Sequence, residues 1–281
     1  MQDRRSFFNS SYLYCLSYFK NKVVWITGAS SGIGEALSLA LANAGARLIL
    51  SSRRQEELER VKKACGGGES LLVLPMDLAD PTRFPENLHS ALDAFGQVDI
   101  MIHNGGISQR SLVRDTSMAV QRQVMEVDYF SYIDLTQRLL PHFLERQSGH
   151  FVVISSVMGK IGTPLRSAYA AAKHALHGYF DCLRAEVAAQ GIHVTLLTPG
   201  YIQTNVSRNA LTGDGKPLGR VGKNIAEGYP VEKAARQILR AVQSKKYEVY
   251  IGRKGKEMMA LLINRLFPSI LIKSAPRLVP K

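Results

Sequence analysis

The sequence predicts a doubly wound α/β fold, a single domain with a parallel seven-stranded sheet and helices on both faces. Three observations support this. A chain of 281 residues suits one large domain. Short β-branched or apolar runs alternate with longer helical patterns, and those runs are continuously apolar, as in strands buried on both faces. We expect the domain at residues 22–255, after an N-terminal extension (1–21) and before an apolar, basic segment (256–281).

The predicted elements follow one another in regular order. VVWIT, residues 23–27, reads as the first buried strand. A helix rich in Ala and Leu follows from about Gly34 to Ala44, and Gly45 is well placed to end it. RLILS is the second strand and QEELERVKKA a charged helix. The later strands are LLVLPM, VDIMIH, HFVVIS and HVTLLT, with YEVYIG (247–252) as a late edge strand.

The formal net charge of +13 is the unusual feature of the composition. Such a charge could attract nucleic acid, an anionic membrane surface or phosphate-bearing small molecules. The basic residues are spread along the chain, however, and no helix-turn-helix, RNA-binding or zinc-finger signature accompanies them. We therefore expect a solvated basic surface and no nucleic-acid partner.

Three widely spaced cysteines, Cys15, Cys65 and Cys182, form no CxxC pair. This spacing predicts neither a disulfide framework nor a metal site, and it fits a reducing compartment. Cys182 lies on an amphipathic helical stretch, where we expect a buried, inert thiol.

The sequence contains no pattern that predicts a signal peptide or a membrane-spanning helix. The most apolar stretch, residues 258–272, is interrupted by Asn264, Arg265 and Pro268. It is too polar to span a bilayer, but it could lie on a membrane or on another subunit. We expect a cytoplasmic protein with peripheral membrane contact through this segment as an open alternative.

A glycine-rich turn, TGASSGIG at residues 27–34, follows the first strand directly and opens into a helix. Its glycines allow a tight turn and a close approach to a pyrophosphate, and the helix N-terminus supplies free N–H groups. A lone triplet is a weak signal, but a βαβ unit is the context that a dinucleotide site requires. The alternative is a tight connection without a ligand. The predicted contacts are Gly28, Ser30, Ser31, Gly32, Ile33 and Gly34.

The residues after the second strand indicate which dinucleotide is used. An acidic side chain there would hydrogen-bond the adenosine ribose and favour NAD. This chain has Arg53 and Arg54 instead, and a guanidinium suits a 2′-phosphate. The two arginines could also merely begin a solvated helix. We predict that NADP(H) is favoured over NAD(H), with Arg53 as the phosphate contact.

Six motifs stand in order: TGASSGIG, Asp77–Leu78, HNGG (103–106), Ser155–Ser156, YAAAK (169–173) and PGYIQT (199–204). From Lys22 to about Gly252 the chain resembles the short-chain dehydrogenase/reductase family, whose domain is of the Rossmann type. It looks most like the branch that holds 11β-hydroxysteroid dehydrogenases and acyl-dihydroxyacetone-phosphate reductase-like proteins. By this resemblance the further cofactor contacts are Asp77, Leu78, Asn104, Gly105, Tyr169, Lys173, Pro199, Ile202 and Thr204.

The expected catalytic residues are Ser156, Tyr169 and Lys173. Tyr169 and Lys173 are four residues apart on a helical pattern, so their side chains share one face. An ammonium close to a phenol favours its ionised form, which acid–base catalysis at neutral pH requires. Ser156 stands thirteen residues before Tyr169, the spacing of the family's catalytic serine, and we expect it to polarise the substrate oxygen. We expect Ser155 to face its own backbone or the sheet.

The sequence departs from the family at two positions. Asp128 replaces the usual Asn of the proton relay, which adds a charge near Lys173 and leaves its catalytic role in doubt. His103 begins HNGG where NNAG is commoner, and we interpret it as a packed strand-end histidine rather than a general base.

The pattern predicts an NADP(H)-dependent oxidoreductase that transfers hydride between a nicotinamide and a hydrophobic ketone or secondary alcohol. A catalytically impaired dinucleotide-binding scaffold or regulatory protein is the alternative, and the intact Ser156, Tyr169 and Lys173 argue against it. Residues 203–228 are glycine-rich and poor in apolar residues, so we predict a substrate lid there. Apolar helical stretches at 124–140 and 169–187 predict a homodimer or homotetramer by family analogy.

Overall fold

A computed structural model describes residues 17–220, 222–253 and 255–278. Its sheet has seven parallel strands in the order β3-β2-β1-β4-β5-β6-β7. The predicted doubly wound architecture is therefore confirmed, with β7 at the sheet edge. The strands are β1 (Val23–Thr27), β2 (Arg47–Ser51), β3 (Leu71–Val73), β4 (Ile100–His103), β5 (Gly149–Ile154), β6 (Ile192–Pro199) and β7 (Glu248–Ile251).

Helices cover both faces of this sheet. They are α1 (Gly32–Asn43), α2 (Gln55–Ala64), α3 (Phe84–Phe95), α4 (Met118–Met125), α5 (Ser131–Arg146), α6 (Ser167–Glu186), α7 (Lys223–Ala226), α8 (Val231–Gln243), α9 (Lys256–Leu266) and α10 (Pro268–Ser274). Helices α1, α2 and α8 contribute to the core on one face, and α3, α5 and α6 to the core on the other. A π-helical turn, Glu126–Phe130, joins α4 to α5.

The continuously apolar strands are explained by these two cores. Within β1, Val24 and Ile26 point into the core beneath α1, whereas Val23 and Trp25 point into the opposite core. All five residues of β1 are buried. The polar indole N–H of Trp25 is satisfied by donation to Ser51 Oγ at 2.9 Å. Both faces of the strand therefore lose water contact, which removes the usual alternation of apolar and polar residues.

Two local expectations need correction. Cys182 is exposed on α6 rather than buried, because the buried stripe of that helix passes through Leu176, Phe180 and Leu183. Ser155 faces neither its own backbone nor the sheet: its hydroxyl donates to the Lys173 carbonyl at 3.2 Å and lies 3.0 Å from His177 Nε2.

The proposed division into segments remains a prediction. Residues 1–16 of the N-terminal extension, including Cys15, and residues 279–281 lie outside the described residues. The predicted lid, residues 203–228, is mostly irregular but attached to the domain. Leu211 forms bridges with Gln109 and Pro217, and Ile202 forms one with Tyr229. The C-terminal segment forms the helices α9 and α10.

Candidate active site

A cavity of about 1000 Å³ opens at the carboxyl ends of the central strands. Strand order reverses between β1 and β4, and ligands of open α/β sheets bind at such a switch point. The cavity runs from the turn after β1, past the ends of β4 and β5, to the segment that follows β6 and to the C-terminal helices. Its size suits a large ligand with a second molecule beside it.

The glycine turn forms one end of the cavity and has no room for side chains. A Cβ on Gly28 would lie 2.6 Å from Gly105 Cα, and a Cβ on Gly34 would lie 2.2 Å from the carbonyl oxygen of Gly28. Gly28 also has a φ of +64°, which L side chains rarely adopt. The bare turn and the N-terminus of α1 thus present backbone N–H groups to the cavity, and this cradle fits a pyrophosphate.

A small hydrogen-bond network holds this turn against β4. Thr27 Oγ1 accepts from the backbone N–H groups of Asn104 and Gly105, both at 3.0 Å. The side-chain amide of Asn104 donates in return to the carbonyls of Thr27 at 2.9 Å and Gly28 at 3.2 Å. Asn104 therefore stabilises the conformation of the turn, independently of any contact that it makes with a ligand. Thr27 was not among the predicted site residues, although it is the first letter of the glycine motif.

Both arginines after β2 line the same end of the cavity and are exposed. Arg54 donates to Ser30 Oγ at 3.4 Å, so its guanidinium lies over the glycine turn. Asp77 and Leu78 also line this end, and the Asp77 carboxylate accepts from the Ala79 N–H at 3.0 Å. Two positive charges therefore stand where the adenosine end of a dinucleotide would lie. Arg54 is a second candidate for a phosphate contact that the prediction assigned to Arg53 alone.

Ser156 follows β5 and lies in the wall of the cavity. Its Oγ accepts a hydrogen bond from the Met158 N–H at 3.1 Å, which caps a short turn at residues 157–159. Since the oxygen is the acceptor in that bond, the hydroxyl hydrogen remains available to a substrate oxygen.

Tyr169 and Lys173 lie one turn apart on α6, and both line the cavity. The ammonium of Lys173 lies 5.7 Å from the centroid of the Tyr169 ring. Tyr169 packs against a small apolar cluster that includes Val124, Ala172 and Leu211. This packing fixes the ring beside the lysine and connects it to the predicted lid.

Lys173 and Asp128 form a buried ion pair. Lys173 Nζ lies 3.1 Å from Asp128 Oδ2, and both side chains are nearly inaccessible to solvent. The ammonium also donates to the Ile154 carbonyl at 3.3 Å and lies 5.1 Å from the centroid of the Tyr132 ring. Asp128 Oδ1 accepts from the Ile107 N–H at 2.7 Å, and the π-helical turn places it there. The Asp128 carboxylate therefore contacts the lysine directly.

This pairing decides the protonation of Lys173. Burial by itself would lower the pKa of the ammonium, but the negative charge of Asp128 outweighs that effect and raises the pKa of Lys173 above its ordinary value. Burial also raises the pKa of Asp128, against the attraction of Lys173. A stably charged lysine beside Tyr169 is thus a property of this arrangement.

His103 is packed as interpreted from the sequence. It is completely buried, stacks on Tyr132 at 4.9 Å between ring centroids, and lies 2.8 Å from Thr136 Oγ1. Burial and the nearby Lys173 lower the pKa of His103 to about 3. It does not line the cavity, so its position offers no route to a general base.

The far end of the cavity contains side chains that were not among the predicted site residues. Arg166 donates to Ser108 Oγ at 2.9 Å and lines the cavity near Tyr169. Tyr201 follows β6, and Ala260 and Leu271 reach the cavity from α9 and α10. Tyr201 lies within the PGYIQT motif but was not among the predicted site residues. No motif marks Ala260 or Leu271, because only the folded chain brings the C-terminal segment over the carboxyl edge of the sheet.

All but one of the predicted site residues line this single cavity. Gly34 is the exception, since it packs behind the turn against Gly28 and Asn104. Ser156, Tyr169, Lys173 and Asp128 lie together, and the predicted cofactor contacts extend from them toward the glycine turn. The arrangement can bind an extended phosphorylated ligand at one end and offer a hydroxyl, a phenol and an ammonium to a second molecule at the other. Their individual roles remain predictions.

Comparisons with known proteins identify the family of the chain. The sequence model described as short chain dehydrogenase matches residues 22–214. The chain is 41% identical over 262 residues to dehydrogenase/reductase SDR family member 7B of Mus musculus, covering 92% of this chain and 81% of that protein. It is 44% identical over 254 residues to dehydrogenase/reductase SDR family protein 7-like of Drosophila melanogaster, covering 89% and 78%.

Solved structures show the same fold. A short-chain dehydrogenase from Streptomyces avermitilis superposes with a TM-score of 0.78 at 30% identity, covering 90% of this chain and 96% of that one. A Burkholderia phymatum short chain dehydrogenase/reductase in complex with NAD gives a TM-score of 0.77 at 20% identity, covering 91% and 95%. The chain therefore belongs to the short-chain dehydrogenase/reductase family of oxidoreductases.

Proposed function

We propose that the protein is an NADP(H)-dependent oxidoreductase that interconverts a hydrophobic ketone and the corresponding secondary alcohol. The observation that carries this proposal is the convergence of Ser156, Tyr169 and Lys173 on one cavity whose other end is the bare glycine turn. A bound nicotinamide dinucleotide supplies or accepts the hydride. The chain's own residues bind, orient and move a proton.

In the direction of reduction, Ser156 donates a hydrogen bond to the substrate oxygen and holds it in place. Tyr169 gives its phenolic proton to the same oxygen as negative charge develops there. Lys173, kept charged by Asp128, stabilises the phenolate that remains. Oxidation uses the same residues in reverse, with the phenolate accepting the proton.

The preference for NADP(H) rests on charge. Arg53 and Arg54 stand beyond β2 at the rim of the cavity, and no acidic residue follows that strand until Glu56. Two guanidinium groups favour a 2′-phosphate, whereas an acid would favour a ribose hydroxyl.

The preference for a hydrophobic substrate rests on the lining of the far end. Val157, Met158 and Ile161 lie beside Ser156, and Leu211 and Leu271 reach the cavity from the predicted lid and from α10. Apolar walls favour a substrate whose bulk is apolar. Two other expectations stay predictions: a cytoplasmic location, and a homodimer or homotetramer.

A carbonyl-reduction assay tests the proposed function. The purified chain with NADPH is tested on ketones of increasing apolar bulk, and the oxidation of NADPH is followed by absorbance. We expect turnover that rises with apolar bulk and is lost in Tyr169→Phe. Asp134→Asn, at a half-buried position of α5 outside the cavity, should have no effect. NADPH binding without turnover on any ketone or alcohol would favour the scaffold alternative.

A further inference from the structure

The helices α9 and α10 leave an apolar outer surface uncovered. Half of the large apolar side chains exposed in the described part of the chain lie within these two helices and their junction. Their exposed fractions run from 43% at Met258 to 71% at Ile272. We call this set the apolar ridge: Met258, Met259, Leu262, Leu266, Phe267, Ile270 and Ile272.

The ridge belongs to helices that are fixed to the catalytic domain. Glu257, in the first turn of α9, accepts a hydrogen bond from the Tyr250 hydroxyl at 2.7 Å and another from the Tyr201 N–H at 3.4 Å. Asn264 donates to the Lys160 carbonyl at 2.9 Å. On the inner side, Ala260 and Leu271 line the cavity. The ridge is therefore the outer side of a cover over the substrate end.

Basic residues accompany the ridge. Arg253, Lys256, Arg265 and Lys273 are all exposed, and the sequence contains no Asp or Glu after Glu257. Glu257 is engaged with Tyr250. Apolar side chains with basic neighbours and no free acid suit the interface of an anionic bilayer, where lipid headgroups attract the basic groups and the acyl boundary takes the apolar ones.

A second copy of the chain fits this surface less well. A twofold contact sets a surface against itself, so the basic residues around one ridge would approach those around the other. Like charges brought together at an interface are repulsive, and the chain as a whole carries a formal charge of +13. Among the described residues, no helix is long and apolar enough to cross a membrane.

We propose that α9 and α10 dock the protein on anionic phospholipid bilayers, with the apolar ridge in the acyl boundary and the surrounding basic residues at the headgroups. The substrate end of the cavity then lies next to the lipid, which gives an apolar substrate a route that avoids water. That route rests on the proposed function, whereas the docking itself does not.

Vesicle flotation with the full chain tests the docking, without nicotinamide or substrate. We expect the protein to float with phosphatidylcholine vesicles that contain phosphatidylserine, and to bind pure phosphatidylcholine vesicles more weakly. The triple change Leu266→Ser, Phe267→Ser and Ile270→Ser is expected to lower the partition coefficient at least tenfold. Arg265→Gln with Lys273→Gln is expected to lower it by roughly 30-fold, and on anionic vesicles alone.

The matched control is Val113→Ser with Met118→Ser, two exposed apolar residues away from the ridge, for which we expect wild-type binding. The proposal is overturned if no vesicle binds the wild type, or if the triple variant binds as well as the wild type. Sedimentation without vesicles gives a further test. The proposal is overturned if the wild type is an oligomer and the triple variant is a monomer, since the ridge would then be an interface between copies. Retained flotation with no ketone reduction would disprove the proposed function alone.

Discussion

Replacing Lys173 with Met measures how much the buried ion pair with Asp128 contributes to the free energy of unfolding. The change removes the ammonium and leaves the Asp128 carboxylate buried 3.1 Å from where the charge had been. Removing one partner of a buried pair typically costs about 3–5 kcal/mol, against a total stability of roughly 5–15 kcal/mol. With a shift of about 2–4 °C per kcal/mol for a chain somewhat smaller than this one, the unfolding temperature should fall by about 6–20 °C.

A double-mutant cycle separates the pairing from other effects of the substitution. Asp128→Asn keeps an acceptor for the Ile107 N–H but removes the charge. Adding it to Lys173→Met should therefore restore about 0.5–3 kcal/mol of the loss. The four forms are compared by urea unfolding at neutral pH. The exposed pair of Arg83 and Glu86, 3.5 Å apart, is the matched control, with an expected coupling of about 0.2–0.5 kcal/mol.

Additive costs in the cycle at positions 128 and 173 would refute the reasoning. They would mean that the charges of the two side chains do not interact in the folded protein, and that some other group keeps Lys173 protonated. A Lys173→Met variant as stable as the wild type would refute it as well, because an unpaired buried carboxylate cannot be free of cost.

Four other changes have defined outcomes. Tyr169→Phe should lower kcat by about 10²–10⁴-fold through loss of the proton donor, with dinucleotide affinity, measured by titration, nearly unchanged. Asp128→Asn should move the alkaline limit of activity to lower pH, because the pKa of Lys173 is raised chiefly by that carboxylate; a pH–rate profile identical to wild type would contradict this. Burial lowers the pKa of His103 and His150 to about 3, so their contribution to stability is present above the ordinary histidine pKa of about 6.5 and lost as pH falls from there toward 3. The unfolding temperature should accordingly fall between pH 7 and pH 5, and less steeply in His150→Gln. Gly34→Ala should weaken dinucleotide binding at least tenfold, since the new Cβ would lie 2.2 Å from the Gly28 carbonyl oxygen. Unchanged binding would show that the turn can shift to accommodate the added methyl group.

The fold and the cofactor end of the site could be predicted from the sequence because both depend on local patterns. Continuous apolar strands and the glycine turn at residues 27–34 are short-range features with one dominant physical explanation. Helical spacing places Tyr169 and Lys173 on one helix face, whereas their assignment to the site rested on the resemblance to the family. Arg54 was within the same basic pair as Arg53, but its contact with Ser30 depends on how the helix after β2 leaves the sheet.

The remaining features depend on contacts between distant parts of the chain. The direct pairing of Asp128 with Lys173 requires the π-helical turn to face α6, and no sequence periodicity reports that turn. Cys182 lies just outside the buried stripe of α6, a difference of one residue that an amphipathic pattern does not resolve. The cover formed by α9 and α10 is attached through contacts between distant residues, such as that of Glu257 with Tyr250, which no pattern near residue 257 indicates.

The central claim is that a nicotinamide dinucleotide binds at the glycine turn, with the 2′-phosphate of NADP(H) at Arg53. Titrating the protein with NADPH and NADH tests this claim most directly. Wild type, Arg53→Ala and the exposed control Arg83→Ala are compared by fluorescence. We expect NADPH to bind more tightly than NADH, and Arg53→Ala to weaken NADPH by about 10–150-fold, the worth of a hydrogen bond to a charged group, with NADH little changed. Equal binding of the two dinucleotides by the wild type would contradict the assignment of Arg53, and binding of neither would contradict the account of the whole site.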